Sequence, residues 1–132
     1  MVERKLMIID DDPDTLIILK TVFEYVGFTV IIADNKSKCL GELEKGFRGV
    51  IIIDINVPYL NGWNTLKDIV SNGYVYGNRL IILSSEKNPD SRIEQFNEYI
   101  DDYIIKPFDV EYLLSSVKKS LLSIDNVNEV TA

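Results

Sequence analysis

Short apolar runs recur along the chain at nearly even spacing. Leu6-Met7-Ile8-Ile9, Val50-Ile51-Ile52-Ile53, Ile81-Ile82-Leu83 and Tyr103-Ile104-Ile105 are four of them, and a fifth strand-like segment covers 28–33. Continuous rather than alternating apolarity is the pattern of strands covered on both faces, as in parallel sheets. Strands are therefore predicted at about 5–10, 28–33, 49–54, 79–84 and 102–105.

The intervals read as helices. Asp12-Pro13 supplies an N-cap followed by proline at the first helical position. Leu16, Leu19, Phe23 and Val26 then recur on one face, and Gly27 ends the helix. A second helix is predicted from Asp34-Asn35 to Gly46, and a third from Trp63 to Val70, stopping before Ser71-Asn72-Gly73. Asn88-Pro89 opens a fourth, with Ile93 and Phe96 inward. Asp109 caps a fifth, whose stripe is Val110, Leu113, Leu114, Val117 and Leu121.

Strands alternating with helices predict an α/β fold with a parallel sheet. Right-handed crossovers bring every strand's C-terminal end to one edge, where ligands of such sheets bind. That edge would gather Asp10 and Asp11 from the first strand, Asp54 from the third, Ser84 from the fourth and Lys106 from the fifth. A group of carboxylates calls for a counter-charge, and magnesium prefers oxygen ligands, with one or two carboxylates and several waters. Asp54 is then placed to attack a phosphoryl donor as a carboxylate nucleophile. Lys106 would offset charge on the phosphoryl oxygens while the Ser84 hydroxyl donates a hydrogen bond. Plainer roles are assigned to Asp12 as a helix cap, and to Trp63 and Cys39 as packing residues.

Bulk properties narrow the class. The 132 residues are 46% hydrophobic and 27% charged, enough for one core-bearing domain. No apolar run approaches the ~18 residues of a membrane span, and the first residues do not form a signal peptide. A net charge of −7 argues against direct nucleic-acid binding. One cysteine excludes an internal disulfide, so a cytoplasmic location is expected. The absence of histidine excludes a phosphohistidine, a Ser-His pair and an imidazole metal site. Residues 1–123 are read as the domain and 124–132 as a polar C-terminal tail.

Four segments in order carry a resemblance: Met7-Ile8-Ile9-Asp10-Asp11-Asp12-Pro13-Asp14, Ile53-Asp54-Ile55-Asn56-Val57-Pro58, Leu83-Ser84-Ser85, and Asp101-Asp102-Tyr103-Ile104-Ile105-Lys106-Pro107-Phe108. Over roughly residues 4–122 the chain resembles the CheY-like receiver domains of two-component response regulators. The resemblance implies a single-domain, flavodoxin-like (βα)5 sandwich with strand order 2-1-3-4-5. It also implies a phosphorelay switch phosphorylated on Asp54, catalysing only its own phosphorylation and dephosphorylation. Magnesium would be held by Asp11, Asp54 and the Asn56 backbone carbonyl, with Asp10 acting through water. Ser84 and Tyr103 would be the switch pair, Asn56 and Glu86 would tune dephosphorylation, and the Lys106-Pro107 bond is expected to be cis. Ser84 stands where threonine is commonest, Tyr99-Ile100 replaces a frequent Gly-Ala, and Tyr59-Leu60-Asn61-Gly62 replaces a more usual Gly-Met-Asp-Gly.

The implied partners are a sensor histidine kinase or phosphotransfer protein upstream, and a protein target or second copy downstream. The latter would bind on the face of the fourth helix, fifth strand and fifth helix, with Glu94, Asn97, Tyr112 and Lys119 exposed. A receiver excised from a longer regulator is the alternative. A phosphatase of haloacid-dehalogenase type is disfavoured, because Asp14 stands where its motif carries Thr or Val and no length remains for a cap domain. The acidic first loop disfavours an FMN carrier, and the acidic site itself disfavours a phosphorylation-independent module.

Overall fold

The computed structural model describes residues 3–56, 62–86 and 91–131. The loop expected at 57–61 and the helix opening expected at 88–89 lie outside the described residues. In chain order the elements are β1 (Lys5–Ile9), α1 (Pro13–Tyr25), β2 (Thr29–Ala33), α2 (Lys36–Glu44), β3 (Val50–Asp54), α3 (Gly62–Ser71), β4 (Arg79–Ser84), α4 (Ser91–Glu94), a 3-10 turn (Asn97–Tyr99), β5 (Ile100–Ile105) and α5 (Val110–Thr131). The five strands form one sheet in the order β2-β1-β3-β4-β5, with every neighbouring pair parallel.

Apolar runs become strands here because both sheet faces are covered. On one face Met7, Ile9, Ile51, Ile53, Leu80 and Ile82 pack with Cys39 and Leu43 of α2 and Leu66 and Ile69 of α3. On the other, Leu6, Ile8, Val50, Ile52, Ile81 and Leu83 meet Leu16, Leu19 and Phe23 of α1 and Leu113 and Val117 of α5. Successive residues of one strand thus serve opposite layers, so no position in β3 tolerates a polar side chain before Asp54.

Local chemistry sets the helix ends. The Asp12 side chain accepts the Asp14 N–H at 3.2 Å and the Thr15 hydroxyl at 2.7 Å, a cap of about 1 kcal/mol. Asn35 caps α2 by accepting the Lys38 N–H at 2.8 Å. Gly27, with φ of 96°, takes the left-handed turn that releases α1 into β2. Buried Asn78 ties the sheet's far end, accepting the Gly49 N–H at 2.8 Å and donating to the Tyr74 carbonyl at 2.7 Å.

Several expectations shift. Among the described residues the fourth helix covers Ser91–Glu94 and ends before Phe96, with Ile93 buried and Phe96 half-buried against the core. β5 begins at Ile100, and a register shift beside Leu80 and Ile81 leaves Asp101 out of the ladder. The Asp101 carboxylate instead accepts the Leu80 N–H at 2.9 Å. Val110, assigned to the apolar stripe of the last helix, is exposed, because it opens α5 at the edge of the sheet. The backbone of α5 runs to Thr131, through residues read as a polar tail, and Ile124 is buried. No described helix is long and apolar enough to cross a membrane.

Candidate functional site

The strand order reverses direction between β1 and β3, and Asp10 and Asp54 stand at the C-terminal ends of that central pair. Both carboxylates are almost wholly buried, at 2% and 3% exposure. Asp10 accepts the Asp12 N–H at 3.1 Å, while its own N–H donates to the Ala33 carbonyl at 3.2 Å. Burial pushes the Asp10 pKa up to about 6 against the pull of the Asp12 N–H, and the facing Asp54 charge adds to the rise. Two carboxylates held this way form a low-dielectric anionic pair that a cation would relieve.

Asp54 is held from two sides. One oxygen accepts the Asn56 N–H at 3.1 Å, and the other receives the Lys106 ammonium in an ion pair. Lys106 reaches it because β5 ends beside β4: the Lys106 N–H donates to the Ser84 carbonyl at 2.7 Å. The Lys106-Pro107 peptide is cis, as expected. Gly62 also fixes Asp54, since a Cβ there would sit 2.8 Å from the Asp54 carbonyl oxygen and 2.7 Å from Ile55 Cα. The first turn of α3 therefore rests directly on the backbone of the β3 end.

Ser84 is fully buried, and its hydroxyl accepts the Glu86 N–H at 3.1 Å. The Tyr103 hydroxyl, on a half-buried side chain, donates to the Glu86 carbonyl at 3.4 Å. Glu86 thus links Ser84 to Tyr103 through its main chain. The Asn56 side-chain carbonyl accepts the Ser85 N–H at 2.6 Å, joining the β3 and β4 ends. Asp11 follows Asp10 at intermediate exposure.

A cavity of about 290 Å³ opens on this edge, floored by Asp10, Asp54 and Lys106 and walled by Ile18, Phe108 and Val110. Among the described residues no three Asp, Glu, His or Cys side chains cluster closely enough to cage a metal alone. The donors are all oxygen, with buried Asp10 and Asp54 central. Such a set fits magnesium, which binds through one or two carboxylates and keeps its waters.

Asp10, Asp54, Ser84 and Lys106 therefore meet at one edge, while Tyr103 stands off on the far side of Glu86. Sequence reasoning missed two contributors. Gly62 acts by lacking a side chain, and Asp102 accepts the Ser116 hydroxyl at 2.6 Å on the β5–α5 face. An isolated glycine carries no signal of close approach, and Asp102 read only as one half of an acidic doublet.

The fold and this edge define a flavodoxin-like domain with an acidic, lysine-bearing site at its topological switch point. The family model of the response regulator receiver domain matches residues 6–118, and the chain belongs to that family. A CheY-like receiver domain protein from Methanospirillum hungatei JF-1 is 36% identical with a TM-score of 0.84, covering 92% of this chain and 97% of that one. TrrA of Thermotoga maritima, solved in complex with Mg2+–BeF, is 24% identical with a TM-score of 0.73, covering 89% of this chain and 99% of that one. The transcriptional regulatory protein PcoR of Escherichia coli is 26% identical over 118 residues, 89% of this chain and 51% of PcoR. The chain spans about half the length of such relatives. Receiver domains of this family partner with histidine kinases or phosphotransfer proteins and act as signalling switches.

Proposed function

We propose that the chain is a phosphorylation switch whose acceptor is Asp54, supplied by a histidine kinase or phosphotransfer protein in the cytoplasm. The observation that carries this reading is the Asp54 carboxylate: buried, facing Asp10, and paired with Lys106 at the floor of a cavity. A carboxylate oxygen of Asp54 attacks phosphorus of a phosphohistidine or acyl phosphate. The bond to the donor nitrogen or oxygen breaks, its electron pair leaves with the donor, and an aspartyl phosphate forms. Asp11, Asp54 and the Asn56 carbonyl would hold magnesium, with Asp10 acting through water. Bound there, the ion neutralises charge on the phosphoryl oxygens.

Lys106 then exchanges its carboxylate partner for a phosphoryl oxygen, and the Ser84 hydroxyl turns from Glu86 N–H toward the same group. Because Glu86 also receives the Tyr103 hydroxyl, that turn loosens Tyr103 and shifts a two-state population. The surface of α4, β5 and α5 changes as a result, where Glu94, Asn97, Tyr112 and Lys119 are exposed. A protein target or second copy binds there. The half-length match to PcoR favours a second arrangement, in which this domain serves a longer regulator.

Intact mass after incubation with acetyl phosphate and magnesium tests the reading. One phosphoryl group is expected, absent in EDTA and in Asp54→Asn. Equal labelling of that variant would move the acceptor elsewhere.

A further inference from the structure

We propose that the open edge of β2 pairs antiparallel with β2 of a second copy, joining two sheets into one. β2 closes one side of the sheet and β5 the other. In a parallel ladder the backbone groups of alternate residues point to opposite sides of the strand. The Thr29 N–H donates to the Arg4 carbonyl at 2.8 Å, and the Ala33 carbonyl accepts the Asp10 N–H at 3.2 Å. Thr29, Ile31 and Ala33 therefore face β1, and the N–H and C=O groups of Val30 and Ile32 point away from the sheet. Among the described residues nothing hydrogen-bonds to those outward groups.

The two edges of the sheet differ in kind. On β5 the outward Tyr103 N–H is taken by the Asp102 carboxylate at 2.9 Å, Asp101 is exposed, and a register shift interrupts the ladder. Charges and irregularities of this sort keep further strands off an edge. β2 has none of them: Thr29–Ala33 carries no charge and no proline, and its register with β1 is unbroken. Thr29 is exposed, and Ile31 and Ile32, which serve opposite layers, are only half-buried. Neither α1 nor α2 therefore closes over the strand.

A second copy fits because the strand is complementary to itself. With Ile31 opposite Ile31 of the second copy, Val30 faces the copy's Ile32, and their open groups meet as a hydrogen-bonded pair. A slip of one residue sets ladder-facing groups against open ones, and the pairing fails. A slip of two sets Ile32 against Phe28, whose N–H already serves the Phe23 carbonyl at 3.0 Å, or Val30 against Asp34, beyond the strand. In the centred register each Asp34 lies opposite the other copy's Phe28, the end where Arg4 sits 5.7 Å from the Phe28 ring. Acidic and basic ends thus meet, while β-branched side chains face each other between them. Because β5 is closed to strands, the pairing ends at two copies and does not propagate.

The test uses the full chain without magnesium or a phosphoryl donor, so its outcome is separate from that of Asp54 labelling. Sedimentation should show dimers forming below about 1 mM, a weak association because one strand pair buries little area. Amide exchange at Val30 and Ile32 should slow several-fold as protein concentration rises, while exchange at Tyr103 stays constant. Ile31→Lys and Ile31→Glu should each weaken association about tenfold or more, since like charges then face each other across the two-fold axis. An equimolar mixture of the two variants should pair again, because lysine then faces glutamate. Circular dichroism checks that both variants fold, and the exchange measurement on the parent supplies the test if they do not. A chain that stays monomeric at about 1 mM overturns the proposal. So does exchange at Val30 and Ile32 that ignores concentration, or parental association in the folded variants. Protection that appears at Tyr103 and Ile105 instead overturns it in favour of the β5 edge.

Discussion

Replacing Asp10 by Asn should stabilise the metal-free protein at neutral pH. The amide keeps an oxygen for the Asp12 N–H but removes a buried charge that faces Asp54. Burial raises the Asp10 pKa from 3.8 to about 6, so the folded state holds this proton more tightly than the unfolded chain. Stability from the protonated form is complete below pH 3.8 and is lost as pH rises through about 6. At 1.36 kcal/mol per unit, the ionised carboxylate costs about 3 kcal/mol at pH 7.5 and roughly half that at pH 5. Relaxation around the site makes the first figure a ceiling, and a gain of about 1–3 kcal/mol is expected. For a domain of this size that is a Tm rise of about 4–12 °C. Thermal melts in EDTA at both pH values measure it, and magnesium should then stabilise the parent more than the variant. No gain at pH 7.5, or the same gain at pH 5, would refute the account of a strained carboxylate pair.

Other outcomes follow from named contacts. Lys106→Ala should fold and bind magnesium yet lose the amide-shift response of residues 100–105 to beryllofluoride, read by NMR; a parental response removes Lys106 from the coupling. Tyr103→Ala should shrink the difference in partner affinity between the free and beryllofluoride forms, measured by calorimetry with whichever target or second copy binds. Gly62→Ala forces a Cβ onto the backbone of Asp54 and Ile55 and should cost about 1–3 kcal/mol in urea melts, with slower labelling of Asp54. Cys39 should resist alkylation in the native state, because complete burial in α2 pushes its thiol up to about 12.

The sheet was legible because its strands carry apolar residues on both faces, and the run lengths located all of them to within two residues. The placing of the candidate site was legible for the same reason: Asp54 and Ser84 are the polar residues that close the apolar runs of β3 and β4. What the chain pattern hid is tertiary. Asp101 falls before the predicted strand, yet it lies within β5, displaced from the ladder so that its carboxylate accepts the Leu80 N–H. The α4 segment has helical spacing in Ile93 and Phe96, and among the described residues its helix ends at Glu94, before Phe96. Val110 fits the periodicity of α5 but lies over the cavity rather than the core. Asn78 carries no signal in the sequence, although its side chain ties the 47–49 segment to the Tyr74 carbonyl.

Asn56 has two jobs that mutation cannot easily separate. Its main chain steadies an Asp54 oxygen, and its side chain fastens the end of β3 to the start of the loop after β4. A lifetime measured on an Asn56 variant therefore mixes water access with the stiffness of the frame that carries Ser84. Asn56→Asp keeps an oxygen for the Ser85 N–H, whereas Asn56→Ala severs the tie, so comparing the two distinguishes a faster leak from a looser hinge. Under the proposed function, Asn56 would be a bolt as well as a valve, and setting the timer of the switch there would also reset its stiffness.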